Sequence, residues 1–184
     1  EIDVEVKNNK VIDAKSSGML FRGFEIMLKG RPPLDSVYFT ERICGICSTA
    51  HSYVSATALE NLLDVTPNKN DAMIRDFVHG CEFLQNHLRH FYQYTFPDFV
   101  KGPEINPIYV PSTQDYRLPE SLNKRLASHY LDSLKYSRLA HEMIAILAGK
   151  APHNHGIFVG GITVNMDASK FIEVKSILSS IKSF

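Results

Sequence analysis

The sequence predicts an α+β fold, predominantly helical, with an N-terminal β-hairpin followed by long packed helices. Three observations carry that reading. A period-two alternation is confined to the first dozen residues, later stretches repeat apolar residues every three or four positions, and 44% hydrophobic content in 184 residues is enough to bury one core. Charge adds exclusions: Lys+Arg 20 balances Asp+Glu 20, so no net field draws the chain to nucleic acid or to an anionic membrane. No apolar run approaches the roughly 18 residues of a spanning helix, and no basic-then-apolar leader opens the chain, which therefore reads as soluble.

Each element has its own signal. Ile2, Val4 and Val6 alternate with Asp3, Glu5 and Lys7, and Asn8-Asn9 then precedes Val11-Ile12, the pattern of a hairpin. Residues 18–30 are mixed. Arg31-Pro32-Pro33 breaks any helix, and Thr40 can cap a new one running through Cys44, Cys47 and His51 toward Asp64. The next helix is predicted from about Asn68 to Tyr94, on a stripe of Met73, Phe77, Cys81, Leu84, Leu88 and Phe91. Pro97, Pro103, Pro107 and Pro111 make the following stretch, 96–118, an irregular connection. A third long helix should start near Pro119 and stop at Gly149, with Leu122, Leu126, Tyr130, Leu134 and Ile144 near one face. After a loop carrying Pro152, His153, His155, Gly160 and Gly161, Asp167 caps a last helix whose stripe is Phe171, Val174, Leu178 and Ile181. The chain opens at Glu1 directly in a strand and stops at Phe184 without a helix-stop signal, so residues 1–184 are expected to form a single partial domain of something longer.

Three cysteines are too few, and odd in number, for a disulfide scaffold. Cys44-Gly45-Ile46-Cys47 with His51 four residues on would, on a helix, align two thiols and an imidazole along one face. Such a pair can chelate a soft metal, aided by a helix N-terminus and by Arg42, although C-x-x-C alone supplies only two ligands. A thioredoxin-like redox pair is the alternative, with Val37-Tyr38-Phe39 as the strand it would require, although no βαβ pattern surrounds it. Cys81, inside an apolar stripe, reads as a small buried hydrophobe, and His87 and His90 read as partners in interior hydrogen bonds rather than as ligands.

Arg42-x-Cys44-Gly45-x-Cys47-x-x-x-His51 resembles the N-terminal cysteine motif of the large subunit of nickel-iron hydrogenases. Leu20-Phe21-Arg22-Gly23-Phe24-Glu25 resembles that family's Arg-Gly-x-Glu segment, and Leu88-Arg89-His90-Phe91-Tyr92 its His-Phe-Tyr helix. Gly149-Lys150-Ala151-Pro152-His153 with Val159-Gly160-Gly161 is similar to a further block, so four ordered matches cover most of the chain. The resemblance implies that Cys44 is a terminal nickel ligand and that Cys47 bridges nickel to an iron carrying carbon monoxide and cyanide. His51 would donate to cysteine sulfur, Arg42 would act structurally or electrostatically beside the cluster, and Glu25 would help to hold a magnesium ion. His153 would lie toward an electron-transfer subunit.

The departures are equally definite. The family's second cysteine motif, Asp-Pro-Cys-x-x-Cys-x-x-His, is absent from these residues, and its Arg-Ile-Glu-Gly-His motif would fall before residue 1. The connection between the second and third helices is shorter than in the well-known periplasmic enzymes, while the cysteines argue against the complex I relatives, which lack them. The expectation is the N-terminal portion of a hydrogenase large subunit, inactive alone. Its parent would cleave dihydrogen reversibly with an iron-sulfur small subunit and the C-terminal remainder as partners. An independent metal-binding protein and a thiol-disulfide oxidoreductase using Cys44 and Cys47 are the other two readings.

Overall fold

The computed structural model describes residues 1–102 and 116–184, which divide into two compact units, Glu1–Arg31 and Pro32–Phe184. In the first unit β1 (Ile2–Lys7) and β2 (Lys10–Ser16) pair antiparallel, Val6 opposite Val11 and Lys7 opposite Lys10. The turn works because Asn8 and Asn9 both take positive φ, 52° and 60°, which asparagine tolerates better than other side chains. Between Glu5 and Val6 the register shifts by an extra residue. The predicted hairpin is present, and every residue of both strands is exposed. A single helical turn, α1 (Phe24–Met27), follows Gly23.

The second unit is helical. A tight turn at Pro33–Asp35 leads into α2 (Ser36–Glu41), followed by α3 (Ser48–Leu63) and α4 (Lys69–Arg89). Wider, π-helical turns extend α4 over His90–Thr95. Then come α5 (Glu120–Ala148), a two-residue hairpin of β3 (Ile157–Phe158) and β4 (Gly161–Ile162), and α6 (Ala168–Ser183). Asn68 caps α4 by accepting the Asp71 N–H at 3.0 Å, Asp167 caps α6 by accepting that of Lys170 at 2.9 Å, and Gly149 ends α5 at φ 84°. These boundaries match the sequence reading. Of the prolines in the predicted irregular connection, Pro97 sits in a single tight turn, and Pro103, Pro107 and Pro111 lie outside the described residues.

Four expectations are corrected. The segment Val37–Phe39 is helical, not a strand, and Thr40 closes α2 instead of opening the next helix, its hydroxyl donating back to the Ser36 carbonyl at 2.8 Å. The predicted stripes are only half buried: Met73, Leu134 and Phe171 are 59%, 51% and 57% exposed. The faces that meet instead carry small or polar residues, with Ser133, Ser137 and Ala140 of α5 buried together with Val78, Cys81 and Gln85 of α4. Short serine side chains let the two long helices approach, and Arg89 Nε donates to Ser137 Oγ at 2.9 Å across the seam. Hydrophobic periodicity is blind to such a face. His87 and His90 are exposed, not interior, the former with Nδ1 2.8 Å from the Phe83 carbonyl.

Met143, Ile144 and Leu147 of α5, Val78 and Cys81 of α4, Ala56 of α3, Ile157 and Val174 form the core. The loop before β3 is pressed onto the end of α5. A Cβ on Gly156 would stand 2.6 Å from Ala148 Cα, so only glycine permits that approach. Arg75 of α4 and Glu60 of α3 form a buried two-pronged ion pair (2.5 and 3.1 Å), completed by the Gly160 N–H on Glu60 at 2.8 Å and the Phe158 carbonyl on Arg75 at 3.3 Å.

Candidate metal centre

Between α2 and α3 the chain does not continue as a helix, because side chains capture its backbone donors. In an unbroken helix the N–H groups of Cys47, Thr49 and Ala50 would reach the carbonyls of residues 43, 45 and 46. Here the Cys47 N–H donates to Cys44 Sγ (3.2 Å), and those of Thr49 and Ala50 donate to the two oxygens of Glu82 on α4 (2.7 and 2.8 Å). Asn86, one turn further along α4, donates to the Ile46 carbonyl at 3.2 Å. Gly45 weakens the helical alternative further. The expected single helical face through Cys44, Cys47 and His51 is thus replaced by a loop, with Cys47 at the N-terminal end of α3 and His51 in its first turn.

That loop still brings the two thiols together. Both are free and partly buried, and the Cys47 backbone N–H ties one to the other through Cys44 Sγ. Burial alone would raise the Cys44 thiol, but hydrogen bonds from the Cys47 side chain and from the backbone of Cys47 and Ile46 hold it below the usual thiol range. Burial, the bond to Cys44 and the negative charges of Cys44 and Glu82 push Cys47 up to about 11. The positive end of α3, expected to favour thiolates, is taken up by the Glu82 carboxylate. Cys81 is separate and buried, and burial pushes it up to about 12.

His51 donates its backbone N–H to the Cys47 carbonyl at 3.3 Å, and its imidazole makes no hydrogen bond among the described residues. Arg42 pairs with Glu41 at 3.2 Å. Glu25 lies exposed in the first turn of α1, in the other compact unit. His153, held at φ 58°, donates its N–H to Ser48 Oγ at 2.9 Å, and its Nδ1 is buried without a partner. Burial and the Arg42 charge press the imidazole below its ordinary value.

The sequence reading missed the polar residues around this loop. Asn154 is buried and donates to Glu41 Oε1 and Ser52 Oγ (both 3.0 Å) while accepting the N–H groups of Gly156 and Ile157. Asn154 two residues before Gly156 is a turn signal that could have marked it. Glu41 and Glu82 gave none, since a carboxylate on a helix is ordinarily solvated. Burial raises Glu41 from 4.5 to about 7 against the opposing Ser52 bond and Arg42 charge. The folded chain therefore holds a proton that the unfolded chain releases, so stability falls as pH rises from 4.5 through about 7. Glu41→Gln is expected to flatten that slope and to exceed the parent at pH 8 by on the order of 2–3 kcal/mol in urea unfolding. A variant that keeps the parent's slope would show that another group causes it.

Two adjacent soft thiolate donors suit nickel, iron or zinc as one edge of a coordination shell. No group of three or more His, Cys, Asp or Glu among the described residues could hold a metal ion by itself. Nor is any described helix long and apolar enough to cross a membrane. A protein-family model, the nickel-dependent hydrogenases, matches residues 22–108 and 104–184. The periplasmic [NiFeSe] hydrogenase large subunit of Desulfomicrobium baculatum is 38% identical over 194 residues, covering 100% of this chain and 38% of the relative. The quinone-reactive Ni/Fe-hydrogenase large chain of Wolinella succinogenes is 32% identical over 213 residues, covering 91% and 37%. The Ni-Fe-Se hydrogenase of D. vulgaris Hildenborough in its reduced state superposes with a TM-score of 0.90 at 37% identity, over 100% of this chain and 38% of the other. The chain thus spans well under half the length of these relatives.

Proposed function

The chain belongs to the nickel-dependent hydrogenase family, and on that premise we propose that it is the N-terminal part of a hydrogenase large subunit whose Cys44 and Cys47 supply half of a nickel-iron site. The observation that carries this reading is the pair of free cysteines at the start of α3, brought together by the Cys47 N–H on Cys44 Sγ. Cys44 and Cys47 would together hold part of a nickel-iron centre, the iron of which would carry carbon monoxide and cyanide. When bound, the metals supply the reversible cleavage of dihydrogen to two protons and two electrons.

The chain's own groups do the rest. A sulfur of this pair would be placed to hold a proton released there, and the α2–α3 loop keeps the two cysteines together. His51 and Arg42 would flank the site, and Glu25 would be one ligand of a magnesium ion. Three cysteines cannot hold a relay of iron-sulfur clusters, so electrons leave through the clusters of a small subunit. The test is elemental mass spectrometry of the anaerobically purified large subunit with its small subunit. Nickel at near one per large subunit, together with dihydrogen oxidation, is the expected result. A complex that is folded, free of nickel and inactive would overturn the proposal.

A further inference from the structure

We infer that Glu82 is a positioning residue for the dithiol site: its carboxylate fixes the first turn of α3 behind Cys47 and stands as an acidic group beside whatever metal Cys44 and Cys47 hold. The inference rests on reading those thiols as metal ligands and goes beyond it.

A helix start needs acceptors for its first N–H groups, and the local candidates here are spent. Cys47, at the capping position, makes no capping bond, and Ser48 Oγ already accepts the His153 N–H. Glu82 fills the gap from α4, 33 residues away, giving one oxygen each to the N–H groups of Thr49 and Ala50. A carboxylate suits this task better than an amide, because both its oxygens accept and both bonds are charge-assisted. Glu82 is 3% exposed, and among the described residues no cation pairs with it. Only the partial positive charge of the helix end, about half an elementary charge, offsets it. Glu82 acts electrostatically on both thiols, raising each, and a buried charge is little screened, so any metal on the two sulfurs would experience it as well. A nearby negative charge favours the more oxidised metal state and lowers its reduction potential.

The experiment uses the assembled two-subunit enzyme and its nickel, followed by electron paramagnetic resonance during a redox titration. Glu82→Gln is expected to retain the parent's nickel content. At a fixed potential it should shift the ratio of oxidised to reduced nickel about tenfold toward reduced, 59 mV for a one-electron couple. Full nickel with an unmoved potential would overturn the inference. Should Glu82→Gln take up no nickel, Glu82→Asp decides, since it keeps the charge: restored nickel with the parent's potential supports the inference, and an equal loss overturns it. Failure of the underlying reading looks different, because full nickel in a Cys47→Ser enzyme would sink the ligand assignment itself.

Discussion

Cys47→Ser in the complete large subunit is expected to abolish stoichiometric nickel and, with it, dihydrogen oxidation, while Cys81→Ser leaves both intact. Serine keeps the size but loses the soft, ionisable sulfur, and its hydroxyl does not ionise where a thiol does. Changing a group that merely supports a ligand typically weakens metal binding about 10–100-fold, so loss of a bridging ligand should exceed that range. The loop makes the effect specific: the Cys47 backbone N–H on Cys44 Sγ survives the substitution, so Cys44 stays in place and only the Cys47 sulfur is lost. Cys81 stands in the apolar core, 3% exposed. Placing a hydroxyl there costs about 1–3 kcal/mol of stability and nothing in metal affinity. Elemental mass spectrometry of the anaerobic proteins reads the comparison, and retained stoichiometric nickel in the Cys47 variant would refute the assignment.

Arg75→Leu is the substitution expected to damage the fold most. It leaves the Glu60 carboxylate buried with the Gly160 N–H as its remaining partner from that cluster. Removing one member of a buried ion pair typically costs about 3–5 kcal/mol, a large share of the stability of a domain this size. The double variant Glu60→Leu/Arg75→Leu should recover most of the loss, because no charge is then stranded. Urea unfolding of the four members of the cycle measures it. A single variant within about 0.5 kcal/mol of the parent would mean that the pair adds no more than an exposed one.

How much of this was legible beforehand follows from what each signal measures. Caps and breaks are local, so Asn68, Gly149 and Asp167 marked their helices in the sequence and mark them in the structure. The cysteine motif was legible because its residue types are rare and its spacing chemical. The fault lay in extending a helix across it, since most of the bonds that interrupt it at residues 46–50 come from Glu82 and Asn86, 32 to 40 residues downstream. Burial was legible only where it was apolar. Glu41, Glu60, Glu82, Gln85 and Asn154 are buried because each meets a partner from another segment, and a one-dimensional pattern holds no record of such meetings.

The ties around the cysteine loop also set an order in time. Asn154 reaches back 113 residues to Glu41, His153 reaches back 105 to Ser48, and Gly160 reaches back 100 to Glu60. At a synthesis rate of about 5–20 residues per second, roughly 6–20 s separate the emergence of Glu41 from that of Asn154. Throughout that interval α2 and α3 can form as local helices, but their ties to residues 153–160 through Glu41, Ser48 and Glu60 have not yet been made. Closing contacts of such long sequence separation is slow, because the entropy of the intervening loop must be overcome first. On the nascent chain, therefore, the cysteine loop is tied first from α4, and residues 153–160 lock α2 and α3 only later.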